Sequence, residues 1–115
     1  MKILVCGDRN WDDYWAIYDV LYRLDRSSVI IHGAANGADS IAGMVGNALG
    51  FEVIPVRAEW DKYGKAAGPI RNKKMLDMEP SLVLAFHKDI ENSKGTKHMV
   101  EIAKEKGVQV IIYGA

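Results

Sequence analysis

Compact apolar runs alternate with helical stripes along this chain. Residues 3–6, 29–31, 51–56, 82–86 and 108–112 are short hydrophobic blocks, most followed closely by glycine or polar residues. Blocks of that length and setting predict buried strands. Between them the period changes. Tyr14, Ile17, Tyr18, Leu21 and Leu24 predict a helix over 11–24. Ala38, Ile41, Ala42, Val45, Ala48 and Leu49 predict a second, closed by Gly50. After a long polar connection, 57–68, a third helix is expected to open at Pro69 and to end near Met78, ahead of Pro80. A polar loop, 87–94, leads to a fourth, with Met99, Ile102 and Ala103 on one face and Gly107 as its stop.

Strict alternation of strand and helix predicts a parallel sheet covered on both faces. Right-handed crossovers narrow the topology to a three-layer α/β sandwich of Rossmann-like type, with a five-stranded parallel sheet in the order 3-2-1-4-5. The 115 residues fit one domain, 1–115. In such sheets ligands bind beyond the carboxyl ends of the strands, where the strand order reverses. That reversal falls between the first and fourth strands, so the turns that follow the strands are where chemistry is sought.

Those turns are polar and carry glycine: Gly7-Asp8-Arg9-Asn10-Trp11, Gly33 to Asp39 with Gly37 between them, Gly68-Pro69-Ile70-Arg71-Asn72, and Gly95-Thr96. Glycine admits a close backbone approach, although turns need it for their own geometry too. Pro69 at a first helical position would leave the amides of Ile70, Arg71 and Asn72 free on a positive dipole, with the Arg71 guanidinium beside them. A phosphorylated small molecule suits that arrangement. Arg9 is expected to face the same cleft. Asp39 reads equally well as a first-turn carboxylate and as a partner for ribose hydroxyls. Asn72 reads as an orienting group for Arg71, a base contact or a bystander. Thr96 reads as a helix cap or a phosphate contact. Trp11, Trp60 and Tyr63 offer aromatic plates, with packing of the rim expected for at least two of the three.

Composition limits the alternatives. Formal net charge is 0, so no global field draws in nucleic acid or anionic membrane. Cys6 is the single cysteine, which excludes an internal disulfide and points to a reducing compartment. The first apolar run is too short for a signal peptide, and none approaches a membrane span; the expected location is the cytoplasm. The chain lacks GxxxxGK[ST] and a GxGxxG after its first strand, and its three histidines are scattered. Neither a metal nor a bound cofactor is expected.

Taken together, Gly7-Asp8-Arg9-Asn10-Trp11, Gly33 with Gly37-Ala38-Asp39, Ala67-Gly68-Pro69-Ile70-Arg71-Asn72 and Gly95-Thr96 resemble the SLOG superfamily, closest to its YspA, cpYpsA-related branch of small phage- or mobile-element-borne proteins. The superfamily also includes the lysine-decarboxylase-like phosphoribohydrolases, DNA-processing proteins and sensor domains of anti-phage systems. The resemblance implies a Rossmann-like fold and a nucleotide or nucleotide-derived ligand, with the protein acting as a sensor or nucleotide handler. It implies a site drawn from Gly7, Arg9, Trp11, Gly33, Gly37, Asp39, Gly68, Pro69, Arg71, Asn72, Gly95 and Thr96. The phosphoribohydrolase pattern places a glutamate where this chain has Met99. Cleavage of a nucleotide's N-glycosidic bond, the alternative activity, needs a carboxylate, for which Asp8, Asp39 and Glu91 are the candidates. Single-stranded DNA binding is a further alternative, resting on Lys62, Lys65, Arg71, Lys73 and Lys74. Self-association through Met75, Leu76 and Met78 is expected.

Overall fold

The computed structural model describes residues 1–114. Its five strands are β1 (Lys2–Gly7), β2 (Val29–His32), β3 (Glu52–Pro55), β4 (Leu82–Phe86) and β5 (Gln109–Tyr113). They form one sheet in the order β3-β2-β1-β4-β5, every pair parallel. This is the predicted order. The five helices are α1 (Tyr14–Tyr22), α2 (Ala38–Leu49), α3 (Trp60–Tyr63), α4 (Ala67–Leu76) and α5 (Gly95–Glu105).

Period-two alternation sorts the strand side chains into two cores. Ile3, Val5, Ile30, Leu84 and Phe86 join Ile17, Leu21, Ala42 and Val45 under α1 and α2. Leu4, Cys6, Ile31, Val83 and Ala85 join Met75, Met99, Val100 and Ala103 under α4 and α5. β1 is central, and Ile3 to Cys6 are all buried, as a strand covered on both faces requires. Fully burying each of these aliphatic side chains contributes roughly 1.5–3 kcal/mol.

Three expectations change. α1 starts at Tyr14, three residues later than predicted, because Asp13 caps it: its Oδ1 accepts from the Ala16 amide at 3.1 Å. Trp11 is thereby left in the loop. α4 starts at Ala67, two residues before Pro69, and follows directly on α3 and a 3-10 turn, Gly64–Ala66. Proline is tolerated throughout the first helical turn, not only at its first residue, so Pro69 marks that turn without marking its start. Met75 and Leu76, expected on an association surface, are buried in the core, and Met78 packs against it. The exposed large apolar side chains on α1 and α2 are Trp15, Tyr22 and Met44.

Candidate functional site

The loop after β1 is folded by its own polar groups. Asp8 turns the chain: its Oδ1 accepts from the Asn10 amide at 2.9 Å, and its carbonyl accepts from the Trp11 amide at 3.1 Å. The same carbonyl accepts from the Ala38 amide at 3.1 Å, which fastens this loop to the start of α2. Gly37 makes that contact possible. Its φ is +74°, and a Cβ there would collide with the carbonyl of Asp8 and the backbone of Arg9. Gly7 is likewise pressed against the Phe86 carbonyl. Both glycines therefore serve the approach of one stretch of protein backbone to another.

Gly33 is clamped from both sides. Its amide donates to Asp39 Oδ2 at 3.0 Å, and its carbonyl accepts from Arg71 Nη1 at 3.0 Å. Asp39 Oδ2 also accepts from the Ala35 amide at 3.3 Å. The carboxylate in the first turn of α2 thus shapes the loop after β2. Burial pushes the Asp39 carboxyl up to about 6, despite the two amides and the nearby Arg71 charge, which pull it down. Ala34 is held at φ +58°, a conformation costly for a residue with a side chain, and its amide donates to His32 Nδ1 at 3.0 Å. His32 is consequently an acceptor at Nδ1; burial, with the Arg57 charge, lowers its pKa. The buried Arg71 Nε has no hydrogen-bond acceptor among the described residues.

On the other side of the reversal, Asn72 ties α4 to α5. Its Nδ2 donates to the Gly95 carbonyl at 3.1 Å and lies 3.1 Å from His98 Nδ1. Ser93, not Thr96, caps α5: its Oγ accepts from the Lys97 amide at 3.0 Å. Gly95 and Thr96 open α5, and their amides have no partner within that helix. Thr96 is only 7% exposed, with no side-chain hydrogen bond among the described residues.

These groups surround one cavity of about 970 Å³ at the carboxyl edge of the sheet. Of the twelve residues read from the sequence, Gly7, Arg9, Gly33, Asp39, Arg71, Asn72, Gly95 and Thr96 line it. The other four do not. Trp11 is buried, edge-on to Phe86 with ring centroids 5.6 Å apart. Gly37 serves the loop contact just described. Gly68 is buried against the Trp60 ring, and Pro69 faces a separate outer groove between α4 and α5. The amides of Ile70, Arg71 and Asn72 lie beyond the first turn of α4, so the anion site expected on them is absent. The helix starts at the cavity are those of α2, through Asp39, and of α5, through Gly95 and Thr96.

Sequence reasoning missed Arg57 and His87 as lining residues. Arg57 sits in an aperiodic polar stretch, where nothing in the pattern distinguishes a wall from a solvated loop. Among the described residues, no group of three or more His, Cys, Asp or Glu side chains could hold a metal ion. Cys6 lines the cavity floor, but burial raises its thiol pKa far above neutrality, so it offers no thiolate.

Comparison with known proteins bears on this arrangement. A model of the YspA, cpYpsA-related SLOG family matches residues 1–63, which hold the β1 loop, the β2 loop and the start of α2. The chain belongs to that family. The Gene 61 protein of Mycobacterium phage D29 is 35% identical over 122 residues, covering 98% of this chain and 96% of the phage protein. Among solved structures, DNA processing protein A (DprA) from Streptococcus pneumoniae superposes with a TM-score of 0.80 at 22% identity. The match takes in 96% of this chain and 49% of DprA, so the chain spans about half that protein's length. At that identity the likeness shows a shared Rossmann-like fold. No helix among the described residues is long and apolar enough to cross a membrane.

Proposed function

We propose that this SLOG family member binds a nucleotide or nucleotide-derived ligand in the carboxyl-edge cavity, as a sensor or nucleotide-handling protein. One observation carries the reading: Arg9, Arg57, Arg71 and the first residues of α5, Gly95 and Thr96, line a single cavity of about 970 Å³. Guanidinium groups and an open helix N-terminus are complementary to phosphate. Arg71 is held by Gly33 and brings its charge to the cavity wall at little further entropic cost. Asp39 spends Oδ2 on two amides, leaving Oδ1 as its group for a sugar hydroxyl.

Thermal unfolding with AMP, GMP, CMP and UMP tests the reading. A ligand at a hundred times its Kd stabilises by about 2.7 kcal/mol, a rise on the order of 10 °C for a domain of this size. Arg9→Ala is the clean variant, because Arg9 makes no side-chain hydrogen bond or ion pair among the described residues. It should unfold at the wild-type temperature alone and lose most of the rise. A wild-type protein unmoved by all four nucleotides overturns the proposal.

A second reading is N-glycosidic cleavage in the same cavity, with Asp39 as the acid or base. It rests on the carboxyl pushed up to about 6, close to where a proton is exchanged at neutral pH. Met99 is buried in the core, and Glu91 pairs with Lys97 at 3.3 Å, which leaves Asp39 and Asp8 as the cavity's carboxylates. Release of free base from AMP, followed by chromatography, decides this reading; Asp39→Asn should abolish it. Single-stranded DNA remains the less favoured ligand. The DprA likeness motivates it, but Arg71 turns into the cavity while Lys73 faces the outer groove, so the basic run does not form one stripe. Self-association is proposed through the exposed Trp15, Tyr22 and Met44, and gel filtration reads it directly.

A further inference from the structure

Trp60 stands at the mouth of the cavity as the first residue of α3, three positions after Arg57. It is 58% exposed. Trp11 and Tyr63, the other aromatics considered from the sequence, do not line the cavity. The ring of Trp60 is not left loose. Its edge rests on Gly68 of α4, with Cη2 3.4 Å from where a Cβ of that residue would stand. A Cβ at 68 would meet the indole at ordinary van der Waals distance, so the ring lies directly over this turn of α4. The contact places the indole beside the helix that carries Arg71 and Asn72.

An indole kept partly open to water costs hydrophobic free energy that a flat ligand surface would recover. Around it the cavity wall is cationic, with Arg57 nearby and Arg71 deeper. An aromatic face next to guanidinium groups is complementary to a molecule that is flat and apolar at one end and phosphorylated at the other. We infer that Trp60 is the stacking platform for the base of the ligand, so that this site selects nucleotides over sugar phosphates. The inference rests on the nucleotide reading above and names the element that would recognise the base.

Isothermal titration of AMP and of ribose 5-phosphate separates the two ideas. Stacking of one base on an aromatic side chain corresponds to roughly tenfold in affinity. Wild-type protein should therefore bind AMP about tenfold tighter than ribose 5-phosphate. Trp60→Ala should erase that preference while leaving ribose 5-phosphate binding unchanged, and Trp60→Phe should restore most of it. Because Trp60 is largely exposed, circular dichroism should show both variants folded. If Trp60→Ala keeps the AMP preference, Trp60 is not the platform and the inference fails. If wild-type protein binds both compounds equally, the phosphate site stands and base stacking falls. If it binds neither, the nucleotide reading itself fails and takes this inference with it.

Discussion

At the residue scale, Asp39 shows how one side chain links loop geometry to pH. Its carboxyl moves from an ordinary 3.8 to about 6 because burial disfavours its charge. Between those values the folded protein keeps a proton that the unfolded chain has released. Stability should therefore fall as pH rises through that window, by at most about 3 kcal/mol. His32 works in the opposite sense: its lowered pKa means stability is lost as pH falls below about 6.5. The difference between wild type and Asp39→Asn isolates the carboxylate. The variant should match wild type near pH 4 and exceed it near pH 7.5 in urea midpoint. An unchanged pH profile would show that the carboxylate is not the source. Asp39 also shows where legibility ended. Its place at a helix start was evident from sequence, but that Gly33 lies between it and Arg71 was not.

At the element scale, the site depends on which helix starts reach the cavity. The Gly-Pro-Ile-Arg-Asn run placed a helix correctly and its first residue wrongly. What sets that start is the preceding α3 and 3-10 turn, whose chain runs on into α4 at Ala67. Short turns of this kind have no hydrophobic period for sequence reasoning to detect. At the cavity stands instead the start of α5, held in position by Ser93 and by Asn72 from α4. Asn72→Ala removes a hydrogen bond to the Gly95 carbonyl and leaves a polar pocket unfilled. It should cost about 1–2 kcal/mol of unfolding free energy. Nucleotide affinity should fall as well, because the α5 start would no longer be fixed. Chemical denaturation and titration with AMP, run side by side, read both effects. A variant of wild-type stability would show that Asn72 does not brace α5.

At the scale of the whole molecule, the parallel sheet brings remote residues together. Chain reversal between β1 and β4 opens the cleft, and Arg9, Asp39, Arg71 and Thr96 reach it from four different connections. Phe86, at the end of β4, supports that edge: it stacks on Tyr113 at 4.9 Å and meets Trp11 edge-on. Phe86→Ala should cost roughly 3–5 kcal/mol, seen as a large fall in melting temperature, since no neighbour can fill the space under both loops. A fall of only a degree or two would mean that the edge is held by its hydrogen bonds instead. Strand order was legible because alternation and handedness leave few ways to arrange five parallel strands. Most of the lining residues were legible for the same reason, since the topology assigns every post-strand turn to one edge. By itself the sequence determined the alternation, the sheet order and the edge at which chemistry collects, all of which follow from local periodicity and chain handedness. Only the tertiary structure decided which glycines serve ligand space and which serve backbone contact, which helix starts reach the cavity, and that Trp60 rather than Trp11 borders it. Those outcomes depend on distances between segments far apart in the chain, and no local pattern encodes such distances.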